Sequence, residues 1–199
     1  MNQQLSRKYE TLIIPFDYNK NFLNCSKEEI HEYYTWFLNI KGQRLANLCN
    51  FLFGKQEGCL IEHNLKVIEM FLLNSVSTLQ KPVEQYNQEK KNIPKNLEHF
   101  TRPEDYLFDQ KTISICYDIG IFMGELIINL DDKIFWKLEK DDTFSDYGQP
   151  ILSKKKSKFD VNPFIVTKNT AAKIHKGTYA DEQLISFFKT WKRAFKVEE

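Results

Sequence analysis

Apolar side chains recur three and four positions apart through most of this chain and alternate with polar ones in only a few short runs. The segment NCSKEEIHEYYTWFLNI places Ile30, Tyr34, Phe37 and Leu38 on one helical face. It opens on Ser26 with Glu29 three positions later, a capping box in which the two residues satisfy each other's unpartnered backbone N–H groups. Gly42 is expected to break this helix. QRLANLCNFLFG then sets Leu45, Leu48, Cys49 and Leu52 at helical spacing and ends on Gly54, where glycine favours the turn out of a helix. The longest regular run, CLIEHNLKVIEMFLLNSVSTL, carries Leu60, Ile61, Leu65, Ile68, Leu72, Val76 and Leu79 and predicts one amphipathic helix stopped by Pro82. Residues 81–102 are polar, hold two prolines and read as a long loop.

The second part is mixed. A helix is predicted from Asp109 or Thr112 to about Asn129, with Ile115, Ile119, Phe122, Met123 and Leu126 as its buried stripe. KIFWKLEK alternates Ile134, Trp136 and Leu138 with charged neighbours, the mark of a half-buried strand. DDTFSDYG supplies turn chemistry. QPILSK reads as a second strand, KKKSK as a solvated hairpin tip and NPFIVTK as a third strand. NTAAKIHKG predicts a short helix, and DEQLISFFKTWKRAFK a last one with Asp181 as its N-cap. Near the start, YETLIIPF is either an edge strand or an extended arm over the core. The order of elements predicts an α+β fold: a helical N-terminal half packed with a small antiparallel sheet of about three to four strands and with C-terminal helices. One domain over residues 1–199 is expected, divided into a helical part (1–80), a loop (81–102) and a mixed part (103–199).

Composition narrows the function. Of 199 residues, 42% are hydrophobic and 14% aromatic, enough for a sizeable core. A net charge of +1, about equally balanced in the two halves, gives no basic footprint, so nucleic acid is not expected as a partner, and nothing suggests an acidic tail. Cys25, Cys49, Cys59 and Cys116 show no zinc spacing and read as free buried thiols. No signal peptide or membrane-spanning run is expected, and the protein reads as soluble and cytoplasmic. His31, His63, His99 and His175 are scattered, and no metal or cofactor is expected.

The segment YDIGIFMGELIINL carries the sharpest question. Asp118 and Glu125 are two helical turns apart, a spacing that could let them divide acid and base roles in a cleft. Gly120 and Gly124, four apart, mark a bare helix face against which another element packs closely. The packing reading is preferred, with an Asp118/Glu125 enzyme as its rival and a self-associating structural protein as a third possibility. Phe144 and Tyr147, with Asp141, Asp142 and Asp146, have the aromatic and acidic character of a partner-binding loop.

The succession DIGIFMGE, IFWKLE, DYGQPIL and NPFIV, followed by an aromatic terminal helix, resembles a sparsely characterised family of small bacterial cytosolic α+β proteins. The matching positions are Gly124–Glu125, Trp136, Gly148–Pro150 and Asn162–Pro163, within roughly residues 113–195. Some members resemble immunity proteins of polymorphic toxin systems. The resemblance implies a non-catalytic binding protein that neutralises a toxin by occluding it, and it brings no catalytic residue.

Overall fold

The computed structural model describes residues 8–15, 22–55, 57–96 and 101–197. Ser26 and Glu29 form the expected capping box: Ser26 Oγ accepts from the Glu29 amide at 3.1 Å and Glu29 Oε2 from the Ser26 amide at 2.7 Å. Helix α1 (Lys27–Phe53) then runs unbroken through Gly42. A lone exposed glycine costs about 1 kcal/mol in a helix, and the buried anchors Phe37 and Leu48 on either side hold the helix through it. It ends where predicted, on Gly54 with φ 72°.

The run from Cys59 to Leu79 is not one long helix. A single 3-10 turn (Glu62–Asn64) precedes α2 (Leu65–Leu73), and the chain then extends into β1 (Thr78–Gln80), antiparallel to β2 (Tyr106–Phe108). Residues 75–78, Ser-Val-Ser-Thr, are poor helix formers. Thr112 fixes them in extended form by accepting the Ser77 amide at 2.9 Å and donating to the Ser77 carbonyl at 3.0 Å. Pro82 starts a helix instead of stopping one: α3 (Val83–Lys91) fills much of the expected loop. No residue of α3 is buried, so it carries no apolar periodicity from which it could be read.

Helix α4 (Gln110–Leu130) begins on Asp109, whose carboxylate accepts from the Thr112 amide at 2.7 Å. It is buried nearly all round: α1, α2, the two C-terminal helices and strand Ile134–Leu138 of the main sheet pack against it. It is long and apolar enough to cross a membrane, but 72% of that window is buried within the protein. Strands β3 (Ile134–Leu138), β4 (Pro150–Lys154) and β5 (Asp160–Val161) form an antiparallel sheet in that order, with Trp136 opposite Leu152.

The third predicted strand is a helix. Asn162 Oδ1 accepts from the amides of Phe164 (3.0 Å) and Ile165 (3.3 Å), and Pro163 occupies the first turn of α5 (Pro163–His175). Asparagine followed by proline is a helix-start signal, which the apolar run behind it disguised. Helix α6 (Gln183–Phe195) is not capped by Asp181; the carboxylate of Glu69, from α2, accepts the Leu184 amide at 2.9 Å and the Tyr179 hydroxyl. The first described segment is an extended arm, its Leu12 amide donating to Ser114 Oγ at 2.7 Å.

The cysteines correct another expectation. Cys49 and Cys59 form a disulfide, their Cα atoms 6.0 Å apart. Left-handed glycines at Gly54 and Gly58 turn the chain back after α1 and bring the pair together. Cys116 is a free thiol, and burial pushes it up to about 12.

Candidate functional site

Both glycines of α4 are packing positions: a ring covers each of them, and at Gly120 the α5 main chain comes close as well, the Phe164 amide nitrogen lying 3.4 Å from where a Cβ would stand. A Cβ on Gly120 would meet Phe164 Cδ1 at 2.6 Å, and one on Gly124 would meet Trp136 Cζ2 at 2.2 Å. The two rings stack with centroids 5.7 Å apart, and Phe37 meets both edge-on.

The two acids of α4 go to different partners. Asp118 is fully buried and takes a bidentate guanidinium, Arg44 Nε at 2.8 Å and Nη2 at 2.6 Å, with the Tyr9 hydroxyl donating to the same carboxylate. Burial raises its pKa, and Arg44 counteracts that shift. Glu125 accepts from Trp136 Nε1 at 2.8 Å and from Lys41 Nζ at 2.6 Å. Neither acid borders the cavities described below. Each ties α4 to a different part of the molecule.

Arg44, Tyr9 and Ser114 complete this buried cluster, and none was singled out from sequence. Arg44 lies seven residues after Phe37 and four before Leu48, in the apolar stripe of α1, a signal for a buried, paired charge. Tyr9, 109 residues from its Asp118 partner, leaves no such mark.

The acidic-aromatic loop is more open. Residues 139–149 join β3 to β4 and are braced by their own hydrogen bonds. The Glu139 and Gln149 backbones are bonded at 3.0 Å, the Gly148 amide donates to the Glu139 carbonyl at 2.8 Å, and the Tyr147 amide to the Phe144 carbonyl at 3.1 Å. Asp141 accepts from both the amide and hydroxyl of Thr143, which holds its carboxyl below the usual range. Asp146 is half-buried and accepts from Asn162 Nδ2 at 3.1 Å, so the α5 cap also anchors the loop; burial raises its pKa. Asp142 is exposed. Gly148 is required twice, by its φ of 77° and by Phe22, whose ring would lie 2.7 Å from a Cβ there.

Phe144 is left 60% exposed at the rim of a cavity of about 250 Å³. Phe22, Tyr33, Tyr147 and Phe164 give that cavity aromatic walls, with Lys168 at one side and Leu23, 58% exposed, on the rim. Tyr147 also borders a second hollow of about 260 Å³, shared with Ile30 and His31 of α1. The loop thus places Phe144 and Tyr147 together with Asp141, Asp142 and Asp146, as the sequence reading grouped them. The walls from Phe22, Tyr33 and Phe164 are brought in by the fold.

Comparison with protein-family models, curated proteins and solved structures returned no match. Among the described residues no three of His, Cys, Asp and Glu come together as a metal site. His175 packs its ring on Tyr106 with centroids 4.1 Å apart, and His99 lies outside the described residues.

Proposed function

We propose that this protein is a non-catalytic binding protein that docks on a basic surface of a partner protein through the 139–149 loop and the cavity beside it. The observation that supports this reading is Phe144, a large apolar ring held out in water on a loop that is already hydrogen-bonded into shape. Aromatic anchors of this kind dominate interface energetics. A loop ordered in advance loses little further freedom on binding. The segment holds Glu139, Asp141, Asp142 and Asp146 against Lys140, a formal charge of −3, which steers a cationic partner and rejects an acidic one. Occlusion of a toxin is the specific form taken from the family resemblance, and it rests on that resemblance alone.

Photocrosslinking in the native host tests the reading. A benzophenone amino acid placed at position 144 is expected to capture one discrete protein with a basic surface. The same probe at Val83, 69% exposed on α3, is the control and is expected not to capture it. Identical products from both positions would remove the loop from consideration.

A further inference from the structure

A second charged surface lies at the other end of β4. That strand separates the acidic loop before Pro150 from the lysine turn after Lys154 by five residues, roughly 15 Å. Lys154, Lys155, Lys156 and Lys158 of the turn and Lys196 at the end of α6 surround an open hollow of about 470 Å³, and no carboxylate among the described residues lines it. Lys154 is committed to the fold: it pairs with Asp131 at 2.7 Å and caps α6 by donating to the Phe195 carbonyl at 2.6 Å. The other four are exposed and form no ion pair among the described residues.

Lys156 (φ 68°) and Lys196 (φ 53°) adopt the left-handed conformation. A Cβ is disfavoured there, and glycine or asparagine would relax the backbone. Positive charge therefore stands at two positions where the local conformation favours another residue. The apolar floor offers no free ring, because Phe159 is half-buried and meets the buried Phe195 edge-on at 4.9 Å.

We propose that this hollow binds the sugar–phosphate backbone of nucleic acid without reading its sequence. Lysines from two separate elements wall a concavity that fits a convex phosphate ridge. With no exposed aromatic in the hollow, base stacking is absent and the contact is with phosphate alone. A bilayer would present a plane, and the turn has no apolar side chain to insert into it. The run of lysines reads in sequence as a solvated hairpin tip, and only the fold adds Lys196 and the hollow. This inference goes beyond the proposed docking loop and uses none of its residues.

Fluorescence anisotropy of a labelled 20-base-pair duplex of mixed sequence, between 50 and 200 mM NaCl, tests it. Four neutralised phosphates predict a log–log salt slope of about −3.6, a loss of affinity of about 150-fold across that range. The combined Lys155→Ser, Lys156→Gly and Lys158→Ser variant is expected to bind at least tenfold more weakly at 50 mM. Lys196→Gly alone should reduce the slope by about one; both variants place glycine where the backbone accepts it, and thermal melting checks their folding. No binding at 50 mM, or unchanged binding by both variants, overturns the proposal. So does capture by phosphatidylserine-containing vesicles without any duplex binding.

Discussion

Trp136 donates its indole N–H to Glu125 across 2.8 Å, and the same ring covers Gly124 one residue before that acid. One tryptophan on β3 therefore uses both a bare position and a carboxylate of α4. The glycine makes room for the ring, and the acid fixes its orientation.

Alanine substitutions at three glycines should separate packing from propensity. Gly124→Ala forces a Cβ into a ring that is hydrogen-bonded in place, and overpacking of this kind costs about 1–3 kcal/mol or more. Gly120→Ala meets Phe164 less closely and should cost somewhat less. Gly42→Ala, with nothing within 4 Å, should stabilise by about 1 kcal/mol because α1 gains a better helix former. Urea unfolding of the three variants reads all these signs.

The Arg44–Asp118 pair makes a second prediction. Removing one partner leaves a buried charge without its counter-ion, so Asp118→Asn and Arg44→Met should each lose about 3–5 kcal/mol. Replacing both together with apolar residues of similar size should recover much of that loss. If Asp118→Asn unfolded at the same urea concentration as the parent chain, the structural role assigned to this acid would fail.

What was readable in sequence follows from how each element is stabilised. Helices α1 and α6 bury a face and show it as periodicity, α4 shows as a nearly continuous apolar run, and β3 alternates, whereas β4 is buried on both faces. Helix α3 buries nothing, and α5 hides behind an apolar run that imitates a strand. The strand β1 is held by Thr112, 35 residues from its Ser77 partner, a constraint with no local trace. The loop residues Phe144 and Tyr147 were identifiable because their chemistry is local. The Arg44–Asp118–Tyr9 cluster and the cavity walls were not, because they arise only when distant segments meet.

The cysteines predict a distinct pattern of reactivity. Opening the Cys49–Cys59 bridge, by reduction or by paired alanine substitution, should cost about 2–3 kcal/mol, as expected for a loop of this length. In the oxidised native protein a thiol reagent at pH 8 should leave Cys116 unmodified, because it is buried and its thiol is pushed up to about 12. Denaturation should expose it. Rapid native labelling of Cys116 would contradict its placement in the core.

Alkaline pH should unfold the protein in a narrow window. Burial raises Tyr33 to about 12, and burial raises Tyr9 and Tyr179 as well, reinforced by Asp118 and Glu69 respectively. The folded state holds these protons more tightly than the unfolded chain, whose tyrosines titrate near 10. The resulting stability is present below pH 10 and is lost as pH rises through 10 toward 12. Tyrosinate absorbance should therefore rise together with the loss of far-UV helical signal. Full ionisation of all tyrosines before any unfolding would count against their burial.

The most direct test of the docking account is the affinity of the partner captured at position 144, measured by isothermal titration against the parent chain and Phe144→Ala. The account predicts at least a tenfold loss with an unchanged melting temperature, since the ring is exposed and supports no core. Equal affinity for the two chains would contradict it.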